Sequence, residues 1–154
     1  MSIVQRLRDL GITLPPGTPP AANYVNAVRS GYLLYTSGKA PTPIAGRRIR
    51  GRLGREFTTA DGYSLARSAG LELLAAIQHA LGDLERVRRF IEVQGALNTV
   101  PEFEDHAQVM DGCSDLLVEV FAERGTHVRS VIGASSLRAG MPLVLKATVE
   151  VAGD

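Results

Sequence analysis

Residues 109–137 read VMDGCSDLLVEVFAERGTHVRSVIGASSL, and the fold turns on this stretch. Val109, Leu116, Leu117, Val120 and Phe121 recur at helical spacing, so they form the buried stripe of a helix that begins after Pro101 and reaches Glu123. Gly125 stands where a C-cap glycine belongs. From His127 to Ser135 the pattern becomes that of a strand. A second strand, Leu143–Val151, lies beyond the LRAGMP segment and is apolar enough to be central.

Upstream, Val87–Asn98 alternates as a strand, with Val87, Arg89, Ile91 and Val93 on one side. Before it, Thr58-Thr59-Ala60-Asp61 offers an N-cap to a long helix over Ala60–Leu81, in which Leu65, Ala69, Leu73, Ala76, Ile77 and Leu81 face one way. Gly82-Asp83 ends it. Residues 24–28 and 32–37 are β-rich runs joined by Arg29-Ser30-Gly31, which reads as a hairpin. Residues 40–55 hold two prolines and the arginines Arg47, Arg48, Arg50, Arg52 and Arg55, and are expected to form a loop with at most a short edge strand. At the N-terminus, Ile3, Val4, Leu7 and Leu10 share one face of a short helix capped by Ser2, and the proline-rich residues 13–20 form an extended connector. Two helices separated by strands, with hairpins at both ends, argue for an α+β fold with helices on one face of a mixed sheet.

At 154 residues the chain fits a single domain, 1–154, with residues 1–20 as N-terminal helix and connector. A composition of 45% hydrophobic and 21% charged residues excludes disordered, collagen-like and coiled-coil classes. Lys+Arg of 17 against Asp+Glu of 16 leaves a net charge of +1 and no bulk electrostatic reason to expect nucleic acid or a membrane as partner. A lone Cys makes no internal disulfide, and without a leader or long apolar run the chain is expected to be soluble and cytoplasmic.

His79, His106 and His127 lie in different elements and none belongs to a ligand-spaced motif, so neither metal nor cofactor is expected. Cys113 reads as a small buried hydrophobe; as a nucleophile it would need a base, for which His127 is the candidate. Arg129, at the mouth of an apolar strand, suits a carboxylate held in two parallel hydrogen bonds. The competing reading pairs it with an acid of its own chain such as Glu119 or Glu123. The Arg47–Arg55 run reads first as a solvated face and second as a local anion-binding surface.

Three blocks together resemble the Rid superfamily, also called the YjgF family, of reactive-intermediate deaminases: AANYVNAVRSGYLLYTSGKAP (21–41), ALGDLERVRRFIEVQG (80–95) and the 109–137 stretch quoted above. The resemblance implies a chorismate-mutase-like α+β fold assembled as a homotrimer, with sites in clefts between subunits. It implies that Arg129 grips the carboxylate of an imine or enamine acid, and that Tyr24, Ser37, Gly38 and Lys39 help line the cleft. The glutamate that holds the attacking water in deaminase members aligns with Val144, which has no titratable group. Asp111, Cys113, Lys39 and Arg138 also depart from the subgroup's usual Asn, Ala, Gln and Pro. The resulting expectation is a small-molecule enzyme acting on an imine, enamine or related carboxylate, with Asp111, Cys113 or His127 supplying proton transfer. The alternative is a non-catalytic carboxylate-binding or regulatory protein. An endoribonuclease reading has little physical support, given near-neutral charge and eight aromatic residues.

Overall fold

The computed structural model describes residues 1–153. Its frame is a five-stranded sheet of β1 (Ala27–Ser30), β2 (Leu33–Thr36), β3 (Val87–Asn98), β4 (Val128–Ala134) and β5 (Leu143–Val151), in spatial order β1-β2-β5-β3-β4. β3 and β4 run parallel, and every other neighbouring pair is antiparallel. A parallel pair needs a crossover, and α3 (His106–Phe121) supplies it. The longer α2 (Thr59–Leu81) packs beside α3, so both helices cover one face of a mixed sheet, as the α+β reading requires.

Each helix forms for local reasons. Thr58 and Asp61 complete a capping box at the start of α2, and Gly82, at φ 83°, closes it in the left-handed conformation. α3 ends at Phe121, four residues before Gly125, because Ala122 turns to φ 53° and residues 122–125 tighten into a 3₁₀ turn. Gly125 serves packing there: a Cβ on it would lie 2.1 Å from the Leu117 carbonyl oxygen. In the short α1 (Ile3–Asp9) only Ile3 and Leu7 are buried, whereas Val4 and Leu10 face solvent. A seven-residue helix docked by one edge has room for no wider stripe.

Two strand expectations need correction, and the loop expected over residues 40–55 is found as a loop. The hairpin turn is Gly31-Tyr32, with Arg29 and Ser30 already in β1 and Ser30 paired with Leu33; Gly31 adopts φ 61° and so takes the position that tolerates it. Two bulges, between Val87 and Arg89 and between Phe90 and Glu92, shift the alternation of β3, so its buried set is Val87, Phe90, Val93, Gly95, Leu97 and Asn98. Residues 40–55 contain isolated bridges, Ile44 with Arg47 and Leu53 with Phe57 and Thr99, and no strand.

The core lies between helices and sheet. Leu73, Leu74 and Ile77 of α2 and Met110, Leu116 and Leu117 of α3 meet Val93, Leu97, Leu145 and Val149. β5 alternates: Leu143, Leu145, Ala147, Val149 and Val151 are buried beneath the helices, while Val144, Lys146, Thr148 and Glu150 face the other way. Its apolar character is therefore consumed by the chain's own helices and does not require a second covered face. No helix among the described residues is long and apolar enough to cross a membrane.

Candidate functional site

A cavity of about 710 Å³ opens where the connector, the segment after β2 and the turn before β5 converge. Its wall includes Thr18, Tyr24, Gly38, Lys39, Arg48, Leu137, Arg138, Met141 and Val144, with prolines 19, 20, 41 and 43 as rigid apolar sides. The backbone of Lys39 explains the convergence: its N–H donates to the Leu145 carbonyl at 2.7 Å and its carbonyl accepts from the Leu145 N–H at 2.9 Å. That bridge sets Gly38 beside Val144, and a Cβ on Gly38 would come within 3.7 Å of the valine's own.

Lys39 is only 4% exposed. Its ammonium donates to Asn26 Oδ1 at 2.6 Å, to the Thr18 carbonyl at 3.2 Å and to Thr18 Oγ1 at 3.4 Å, three neutral acceptors. Burial holds its pKa below the ordinary lysine value, partly countered by Tyr24 and Glu72. Glu72, on α2, is 2% exposed, and its Oε2 has no hydrogen-bond partner among the described residues. Burial raises its carboxyl, partly countered by Lys39.

A second constellation lies on α3 and β4. Arg129 Nη1 donates to Asp111 Oδ1 at 2.8 Å and to Ser114 Oγ at 3.1 Å, and Nη2 donates to the Ala107 carbonyl at 3.4 Å. Ser114 Oγ is 2.9 Å from His127 Nε2, and His127 Nδ1 is 2.7 Å from the Gly125 carbonyl. A carbonyl only accepts, so Nδ1 carries a proton toward Gly125, while the Ser114 hydroxyl oxygen accepts from Arg129 and joins it to the His127 ring.

The expected site residues thus fall into two groups. Tyr24, Gly38 and Lys39 share the cavity with Val144 and Arg138; Arg129, Asp111 and His127 share the α3–β4 network and form no part of the cavity wall. Ser37 belongs to neither, since its hydroxyl donates to the Val25 carbonyl and its N–H to the Asn26 carbonyl. Cys113 follows the buried-hydrophobe reading and not the catalytic one. It is fully buried against α2, burial pushes its thiol up to about 12, and the group that reaches His127 is the neighbouring Ser114. The acid beside Arg129 is Asp111; Glu119 pairs with Arg67 at 2.9 Å instead. Ser114 was missed, although it stands at i+3 from Asp111 on one helix face, and the place of Arg48 in the cavity wall was hidden within a run of arginines. No group of three His, Cys, Asp or Glu side chains converges as a metal site among the described residues.

Against this geometry, the family model described as "YjgF/chorismate_mutase-like, putative endoribonuclease" matches residues 4–148. The chain belongs to that family. Protein TCP17 of Trypanosoma cruzi is 37% identical over 150 residues, covering 97% of this chain and 94% of that protein. Among solved structures, Atu1372 of Agrobacterium tumefaciens, described as of unknown function, is 36% identical with a TM-score of 0.89, covering 97% of this chain and 92% of its own. A "putative endoribonuclease" of Shewanella oneidensis is 29% identical with a TM-score of 0.94, covering 98% and 100%. RidA of an Antarctic Psychrobacter, at 17% identity and a TM-score of 0.59, covering 89% and 96%, shares the fold.

Proposed function

We propose that this YjgF-family chain binds a small carboxylate-bearing imine, enamine or carbonyl acid in the cavity beside Lys39, in a cleft completed by a neighbouring copy. The observation that carries the reading is the chemistry of the cavity wall. It offers Lys39, Arg48, Arg138, the Tyr24 ring and the bare backbone at Gly38, and it contains no Asp, Glu or His. Such a wall attracts an anion and has nothing to repel one.

In the trimer that the family resemblance implies, the Arg129 edge of one copy faces the cavity of the next. Asp111 and Ser114 then occupy Nη1 and the Ala107 carbonyl takes one hydrogen of Nη2, which leaves Nε–H and the other Nη2 hydrogen for a ligand carboxylate. Asp111 and His127 are the titratable groups of the Arg129 network, the one directly and the other through Ser114, so proton transfer to a reacting carbon or nitrogen falls to them. Val144 supports a second reading, a binder with little turnover, because the cavity wall itself offers no carboxylate to activate water. A cytoplasmic setting, where reactive small acids arise, belongs to the same proposal.

Calorimetry with pyruvate, 2-oxobutanoate and benzoate tests binding. Wild type should bind at least one of them, and Arg129→Lys should weaken it by about tenfold or more through loss of the planar fork. If none binds and Arg129→Lys lowers stability instead, Arg129 is structural and the proposal fails. Hydrolysis of 2-iminopropanoate separates the two readings: weak in wild type, and gained by roughly 10²–10⁴ in Val144→Glu. Strong wild-type hydrolysis would show that another group already does this work.

A further inference from the structure

The sign of the cavity wall goes further than a single carboxylate requires, and we propose that its ligand carries two anionic groups. The class is a small dicarboxylate or a phosphorylated carboxylic acid. This rests on the reading of the cavity as a ligand site and narrows what that site takes.

Lys39 and Glu72 are both buried and sense one another, and they make no contact ion pair. With both ionised their charges cancel; with the proton shared the other way both are neutral. Either state leaves the guanidinium charges of Arg48 and Arg138 on the wall. Lys39 charged beside a protonated Glu72 adds to that excess; Glu72 ionised beside a neutral Lys39 reduces it by one, yet Glu72 is buried and forms no part of the wall. The two exposed guanidinium groups are the charge a ligand meets, and a monocarboxylate balances one of them.

The arginines of the 40–55 loop are not equivalent, which argues against reading them all as a solvated face. Arg52 is consumed by structure, donating to Asn98 Oδ1 at 3.3 Å and to the Ser135 carbonyl. Arg50 lies against Gly140. Arg48 instead enters the cavity wall, and among the described residues its one hydrogen-bond partner is the Met141 thioether at 3.8 Å, a weak acceptor. Arg138 reaches the same cavity from the turn before β5. Two exposed like charges from separate segments thus line one cavity without an acid between them, and an anion bridging them would relieve their repulsion. A neighbour's Arg129–Asp111 pair would not change the count, since it is neutral as a unit.

Calorimetry at one fixed ionic strength, on the full chain, compares matched probes: acetate with malonate, pyruvate with oxaloacetate, and pyruvate with phosphoenolpyruvate. Each dianion should bind about tenfold or more tightly than its monoanionic partner. The oxaloacetate and phosphoenolpyruvate arms then tell a second carboxylate from a phosphate. Arg48→Gln and Arg138→Gln should each reduce the preference, and the double variant should lose dianion affinity by a larger factor than monoanion affinity, so that the preference disappears. Equal affinity for mono- and dianions would overturn this inference and leave the carboxylate site standing. A preference that survives in the double variant would also overturn it, and binding of no probe at all would remove the site itself.

Discussion

Glu72 lies within α2 with 2% of its surface exposed and one carboxyl oxygen unpartnered, and burial raises its pKa above the ordinary 4.5. Between 4.5 and that raised value the folded chain holds more protons than the unfolded chain, so this group's contribution to stability falls as pH rises through the window. Glu72→Gln keeps the shape and removes the titration. The variant should melt close to wild type at pH 4 and above it at pH 7, by roughly 2–4 °C, the shift that about 1 kcal/mol produces in a chain of this size. A difference that does not change with pH would show that Glu72 has the same pKa folded and unfolded. Lys39 carries the opposite sign: its lowered pKa makes stability rise as pH climbs from that value to 10.5. At this scale the sequence was only partly readable. Glu72 lies three residues after Ala69 and four before Ala76, so the spacing that buries Leu73 buries it too. That Lys39 would approach it from the far end of β2 is a fact of tertiary structure, carried by no local pattern.

Between α2 and α3 the contact is built from glycine. A Cβ on Gly112 would stand 1.9 Å from the Tyr63 carbonyl oxygen and 2.8 Å from its carbon, both backbone atoms that cannot step aside. Gly112→Ala must push the helices apart, and the expected loss is at or above the upper end of about 1–3 kcal/mol, read as a lower urea midpoint. Gly70→Ala should cost less, because its added methyl meets the movable ends of Leu116 and Cys113. An equal loss in both variants would mean that the crossing yields as a whole. α3 also holds Asp111 and Ser114, so the Gly112 variant should shift the Arg129 network and weaken carboxylate binding along with stability. Helices were the legible elements for the same reason that they pack well: Leu73, Leu116 and Leu117 repeat without interruption. Strands were less so. The bulges of β3 break the period of two, and the hairpin turn begins at Gly31 rather than at Arg29, two residues later than the run of small residues suggests.

Across the sheet face that the helices leave open, the strand registers align Val28, Tyr35, Thr148, Glu92 and Val128 in one row and Val144, Ala96 and Ile132 in another. Val28, Tyr35, Val128 and Ile132 are 47–64% exposed in the isolated chain, concentrated toward the edges of the sheet with Glu92, Gln94 and Lys146 between them. This exposed set, rather than the composition of β5, is the physical argument for association, and the family resemblance supplies the number three. Light scattering at micromolar concentration should return roughly 50 kDa, three times the 16.5 kDa of one chain. Ile132→Glu tests the face directly. Ile132 is 64% exposed in a lone copy, so a charge there costs the isolated fold little, yet against a neighbour's apolar surface it would lie buried without a partner. The variant should therefore keep its secondary structure by circular dichroism while its mass falls to that of one chain. Anion affinity should fall with it, because each cavity would lose the Arg129 edge that a neighbouring copy brings. If the mass falls and affinity is unchanged, the cavity binds without its neighbour and Arg129 has no part in holding the ligand. A wild-type mass of 16–17 kDa would remove the trimer, and with it the cleft between copies.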